Sequence, residues 1–174
     1  PESEQTTDDM ESYPAFTLPG DGHYLEYEYN IGPWYNYDED QEYSLDLTGY
    51  SFPWEEEAFA YITFNPDEVS ADETTTTPFS QLKGYGAHRG KQYLAAFSMK
   101  DDMAVGDHVS DWLISPLLTG DEQTVSFWFN SLPVSNGTVC FQVAYSTTDS
   151  LHDSFTNVVA DSVTAVTNWT KVSV

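Results

Sequence analysis

Asp38 and Asp40 stand one residue apart in Tyr37-Asp38-Glu39-Asp40-Gln41, a polar stretch between apolar ones. Two carboxylates at that spacing in a loop can ligate one hard cation together with backbone oxygens. Trp34, Tyr35 and Tyr37 flank this stretch, and seven of the 12 tyrosines fall between Tyr24 and Tyr50. Aromatic rings beside carboxylates suit sugars, because ring faces stack on CH groups while hydroxyls bond to carboxylate. Trp54, followed by Glu55, Glu56 and Glu57, offers a second surface of the same kind. The alternative for Trp34 and Trp54 is a place in the core, where alternating aromatics usually sit.

Catalytic patterns are weaker. A glycosidase needs two carboxylates about 5–10 Å apart with separated pKa values. With 29 acidic residues such pairs arise by chance, and the sequence selects none of them. His23, His88, His108 and His152 are widely spaced, without metal-ligand spacing. Ser98, Ser110 and Ser115 lack a Gly-x-Ser-x-Gly context. The expectation is a chain that is not an enzyme.

Charge sets the partners. Twenty-nine acidic residues face five basic ones, a formal net charge of −24, and no Lys or Arg precedes Lys83. That field repels phosphate backbones and anionic lipid, so no nucleic acid is expected as a partner. It favours cations, Ca²⁺ above all, or else serves solubility alone. No apolar run approaches the roughly 20 residues of a membrane span, so no membrane insertion is expected. The first residues carry no basic-then-apolar stretch, so any secretory signal is expected to lie outside this sequence. Cys140 is the single cysteine and, within Val139-Cys140-Phe141-Gln142-Val143, is expected to be a small buried hydrophobe.

These groups must be positioned by strands. Residues 1–10 read as a flexible acidic leader and 11–174 as one domain, a length that can bury a substantial core. Leu25, Tyr27 and Tyr29 alternate with Glu26 and Glu28. The segments 59–64 and 93–97 are apolar on both faces, as expected of central strands. Val125, Phe127 and Phe129 alternate with Ser126, Trp128 and Asn130; Val139, Phe141, Val143 and Tyr145 alternate with Cys140, Gln142, Ala144 and Ser146. Between these two lies the turn signal Asn136-Gly137. The connection from Pro66 to Gln81, with four consecutive threonines, reads as a long surface loop, and Asp149–Val159 as a place for a turn or two of helix. Many short strands with turn punctuation predict an all-β sandwich or jelly roll.

Val109-Ser110-Asp111-Trp112-Leu113-Ile114-Ser115-Pro116, followed by Thr124 to Phe129, resembles the signature of the cleaved-adhesin and choice-of-anchor-J domains of Bacteroidetes surface proteins, including the adhesin regions of gingipains. The segments 31–40, 86–91 and 143–148, and the run from Phe155 to Val172, resemble further pieces of that family in order. The resemblance covers roughly residues 10–174. It implies a jelly-roll β-sandwich, galactose-binding-like or MAM-like, with structural calcium. It also implies an adhesive role on a secreted or cell-surface bacterial protein, recognising glycan or host surface protein beside other domains of a larger chain. Through it Glu11, in Glu11-Ser12-Tyr13, becomes the third calcium ligand beside Asp38 and Asp40. The family continues into closing strands after the segment matching Trp169–Val174, so the resemblance implies an edge strand there and a natural chain extending further. Asp149-Ser150 and Asp161-Ser162 fit a short bacterial O-glycosylation pattern. The rival functions are a ligand-free spacer domain of a larger surface protein and a carbohydrate-active enzyme.

Overall fold

The computed structural model describes residues 7–16, 27–99, 109–131, 139–164 and 167–174. Among them the regular structure is strands and three short 3-10 turns, with no α-helix, so the chain is all-β. The strands are β1 (Glu28–Ile31), β2 (Trp34–Asp38), β3 (Tyr50–Ser51), β4 (Ile62–Phe64), β5 (Ser70–Ala71), β6 (Tyr93–Ala95), β7 (Asp111–Ile114), β8 (Ser126–Phe129), β9 (Cys140–Tyr145), β10 (Asn157–Thr164) and β11 (Thr170–Ser173). Every pairing is antiparallel: β1-β2-β7 form a three-stranded sheet, while β3-β5, β4-β6, β8-β11 and β9-β10 pair in twos.

Local chemistry explains the sheet that matters most. Ile31 pairs with Trp34 across the two-residue turn Gly32-Pro33, with Gly32 at φ 54°. A first turn residue at positive φ is what a tight hairpin asks of glycine. A side chain there would also strike the ring of Tyr13. Along β2 the period of two sends Asn36 and Asp38 into the interior, and Tyr35 and Tyr37 to the opposite face.

The core is aromatic. Phe16, Tyr29, Ile31, Phe52, Phe59, Ile62, Phe64 and Phe79 form one buried cluster. Phe64 is its centre, packed edge-on or tilted against Phe16, Phe52, Phe79, Tyr93 and Phe97. All three β4 residues are buried, as expected for a strand apolar on both faces. A smaller, half-buried cluster joins Phe127 and Phe129 of β8 to Phe141 of β9.

Several expectations need correction. Cys140 is exposed, because the alternation that turns Phe141 and Val143 inward turns Cys140 outward with Gln142. The connection 66–81 is structured: Asn65 caps a 3-10 turn at Pro66–Glu68, Ser70–Ala71 pairs with β3, and Phe79 plugs the core. The helical expectation for 149–159 reduces to the 3-10 turn His152–Ser154, followed by the strand β10. Asn136-Gly137 and most of the leader lie outside the described residues. β11 pairs with β8 on one side, and Val172 and Val174 are half-buried; among the described residues it has no second strand partner.

Phe64→Ala removes the side chain at which these rings meet. It should cost about 3–5 kcal/mol in denaturant unfolding, the usual penalty for a large-to-small change in a packed core. Tyr145→Ala, at a side chain 48% exposed, should change stability by about 0.5 kcal/mol or less.

Candidate metal centre

Asp38 closes β2 and Asp111 opens β7, and the two face each other directly across the antiparallel ladder. Asp40 follows in the loop after β2. One carboxylate oxygen from each of the three lies within 4.8 Å of the others. Like charges directly opposite on neighbouring strands repel, and no Lys or Arg ion pair relieves them among the described residues.

The main chain holds this cluster in shape. Asp38 Oδ1 accepts from the Gln41 N–H at 2.7 Å. Asp40 Oδ1 accepts from the Glu42 N–H at 3.1 Å, and its Oδ2 accepts from the Ser110 N–H. Glu39 reaches the other way: its Oε2 accepts from Ser110 Oγ at 2.6 Å and Trp112 Nε1 at 3.0 Å. Those two donors hold the Glu39 carboxyl below its usual range. The loop is therefore pinned to the start of β7 from both sides.

Asp38 is 1% exposed, and its Oδ2 has no hydrogen-bond partner. Asn36, two residues back on the same face of β2, is wholly buried with both amide atoms unpartnered. Buried polar atoms without partners are costly, by about 1–3 kcal/mol each. Burial, then the charge of Asp40, pushes the Asp38 carboxyl up to about 6 despite the Gln41 N–H. Burial, then Asp38 and Asp40, pushes Asp111 up to about 9. A hard cation among the three carboxylates would neutralise the repulsion and give Asp38 Oδ2 a partner. Three convergent carboxylates are the oxygen-rich donor set such an ion takes.

The spacing of Asp38 and Asp40 marked two of the three residues. Glu11 stands elsewhere: its Oε1 accepts from the main-chain N–H groups of Lys91 at 2.8 Å and Gln92 at 3.1 Å. Gly90 leaves room for that carboxylate, since a Cβ there would lie 2.3 Å from Glu11 Oε1. Glu11 thus clamps the N-terminal segment onto the chain before β6, and Asp111 occupies the third position.

The expected aromatic platform divides. Tyr35 and Tyr37 share the outer face of the β1-β2-β7 sheet; Tyr37 stacks on His152 at 4.3 Å, and Trp112 packs against His152 and Phe155. Trp34 lies on the other face, its Nε1 donating to Asp8 Oδ2 at 2.8 Å. Trp54 packs against the core and donates to the Phe16 carbonyl at 3.1 Å, while Glu55 accepts from the Leu47 N–H. Searches of protein-family models, of curated proteins and of solved structures find no match to this chain.

The raised carboxyls set a pH signature for metal-free protein. A carboxyl whose folded pKa exceeds its unfolded value, about 3.9, favours the folded state at low pH. That contribution fades as pH rises through the folded pKa. In chelator, stability should therefore fall between about pH 4 and pH 9, through the ranges of Asp38 and Asp111. Asp111→Asn should flatten the upper part of that fall, so that at pH 9 the variant is more stable than the parent by on the order of 1–3 kcal/mol. Denaturant titrations at pH 5, 7 and 9 read this directly.

Proposed function

We propose that the chain is a non-catalytic, adhesin-like binding module with a jelly-roll β-sandwich fold, held together by a structural Ca²⁺ ion at Asp38, Asp40 and Asp111. The observation that carries the reading is the facing pair Asp38 and Asp111, joined by Asp40 at a strand end and lacking any ion pair with Lys or Arg among the described residues. The metal's part is electrostatic: when bound it neutralises the carboxylates. The chain's own residues do the rest, Ser110 and Gln41 orienting the carboxylates by main-chain N–H groups, and Glu39 and Trp112 bracing the loop.

Burial speaks against the carbohydrate-active enzyme. Asp38, at 1% exposure, leaves a sugar no approach to the carboxylate pair. The resemblance of the Asp111–Pro116 block to cleaved-adhesin domains supports an extracellular or cell-surface setting in a larger bacterial protein. The half-exposed Tyr35, Tyr37 and Trp112 of the outer face supply aromatic surface for a glycan or a host surface protein, and favour recognition over a ligand-free spacer.

Two measurements test this. Binding of Ca²⁺ to the folded state alone at 100 times Kd adds about 2.7 kcal/mol. The melting temperature should rise with millimolar Ca²⁺ and return with chelator, and Asp38→Ala combined with Asp111→Asn should abolish the response. Glu11→Gln should lower the melting temperature with and without calcium yet leave the response intact. An unchanged transition in chelator, with no calcium found by elemental analysis, refutes the site. A glycan and extracellular-matrix array, run with and without calcium, tests recognition; silence across it leaves the spacer reading.

A further inference from the structure

The chain has five basic residues against 29 acidic ones, yet four of the five, Lys83, Arg89, Lys91 and Lys171, belong to a single locality. Lys83, Arg89 and Lys91 punctuate the segment that precedes β6, and this segment lies over β8 and β11. Asn130 Nδ2 donates to the Gly84 carbonyl at 2.7 Å, and Trp169 Nε1 to the Gly86 carbonyl at 2.9 Å. His88, the neighbour of Arg89, stacks on Trp128 with ring centroids 4.0 Å apart and planes at 19°, and meets Trp169 edge-on at 5.8 Å. Lys171 is the direct cross-strand partner of Trp128, so the two side chains share one face of the β8-β11 pair.

None of these four cations forms an ion pair among the described residues, where the one carboxylate contact of a basic group is His152 with Asp153. In so acidic a chain that is unexpected, because exposed Lys and Arg find carboxylates easily. Glu11 touches the segment at Gly90, and its Oε1 is engaged by the Lys91 and Gln92 N–H groups. Trp128 is 46% exposed although an imidazole is stacked on it. The locality thus offers a flat aromatic platform, a fork-shaped guanidinium donor and flanking ammonium groups, none of them ion-paired among the described residues.

We infer that His88, Arg89, Lys91, Trp128 and Lys171 form a binding site for a sugar bearing a single carboxylate, a terminal hexuronate or sialate, which gives the module a recognition surface on the β8-β11 pair besides the outer face of β1-β2-β7. The inference rests on the binding-module reading and names its ligand class. The pyranose ring stacks on the indole, as apolar CH faces do on aromatic rings, and Arg89 takes the carboxylate in the bidentate geometry that guanidinium favours. The scale fits a sugar: a stable protein partner needs about 20–30 residues a side, against five side chains here. The surrounding charge selects further. With a screening length of about 8 Å at physiological salt, the chain's net charge of −24 repels a densely charged polyanion along most of its length, but a lone carboxylate in contact with Arg89 meets the local cations first.

The test uses the whole chain in calcium buffer and three oligosaccharides of equal length: one ended by glucuronate, one by sialate and one uncharged. Calorimetry should show binding of at least one acidic sugar, and at least ten-fold weaker binding of the neutral one. Arg89→Gln with Lys171→Gln should weaken the acidic sugar at least ten-fold while leaving the calcium-dependent melting shift unchanged. Trp128→Ala should weaken it as well; should that variant unfold, the paired charge variant decides alone. No binding of either acidic sugar at millimolar concentration overturns the inference, as does equal binding of the neutral one or indifference to the charge variants. If the array detects another glycan or a protein while both acidic sugars fail, the site is lost and the module reading survives.

Discussion

Two aspartates facing each other across an antiparallel ladder are the constraint on which this end of the molecule depends. Asp38 and Asp111 cannot separate without breaking the register of β2 against β7, which also aligns Tyr35 with Ile114 and Tyr37 with Trp112. Nor can Asp38 turn to solvent, because the period of two that buries it also buries Asn36 and exposes Tyr37. The repulsion is built in by the same pattern that makes the strand. Two routes relieve it: protonation, which the raised Asp111 carboxyl favours, or a cation that bridges the pair, which is the route proposed above.

The rest of the site follows from that pairing. Glu39, Ser110 and Trp112 bind the loop after β2 to the entry of β7, which keeps Asp40 beside the pair. Trp112 in turn packs on His152 and Phe155, so the geometry of the carboxylates is linked to the turn that leads into β10. A second clamp works at a distance, where Glu11 and Gln92 hold the N-terminal segment: Gln92 Nε2 donates to the Met10 and Tyr13 carbonyls. Both clamps use a carboxylate or carboxamide against main-chain groups, which suits a chain with very few cations to spare for ion pairs.

Much of this was legible in the sequence, and the failures have physical causes. The alternation in 125–130 and 139–145 marks β8 and β9 and sets Trp128 on the outer side with Ser126 and Asn130; read strictly it also places Cys140 outward, which the apolar character of its neighbours obscured. β10 escaped because register shifts between Val158 and Ala160 and between Ala160 and Val163 break its period of two, with Ser162 at φ 51°. Asp38 and Asp40 announce themselves by local spacing. Asp111 does not, since only strand pairing brings it to Asp38; its signal was the acidic residue heading Asp111-Trp112-Leu113-Ile114. Glu11 entered as a ligand through the family resemblance alone, and in the structure it is a clamp on the Lys91 and Gln92 N–H groups; of the two places open to Trp54 in the sequence, it takes the one against the core.

A crystal structure of the chain grown in millimolar Ca²⁺ tests the central claim most directly. The account predicts one ion bound by carboxylate oxygens of Asp38, Asp40 and Asp111 at about 2.3–2.6 Å, the usual calcium–oxygen distance, with the β2-β7 register unchanged. Calcium bound elsewhere, or three carboxylates held apart with no ion between them, would contradict it.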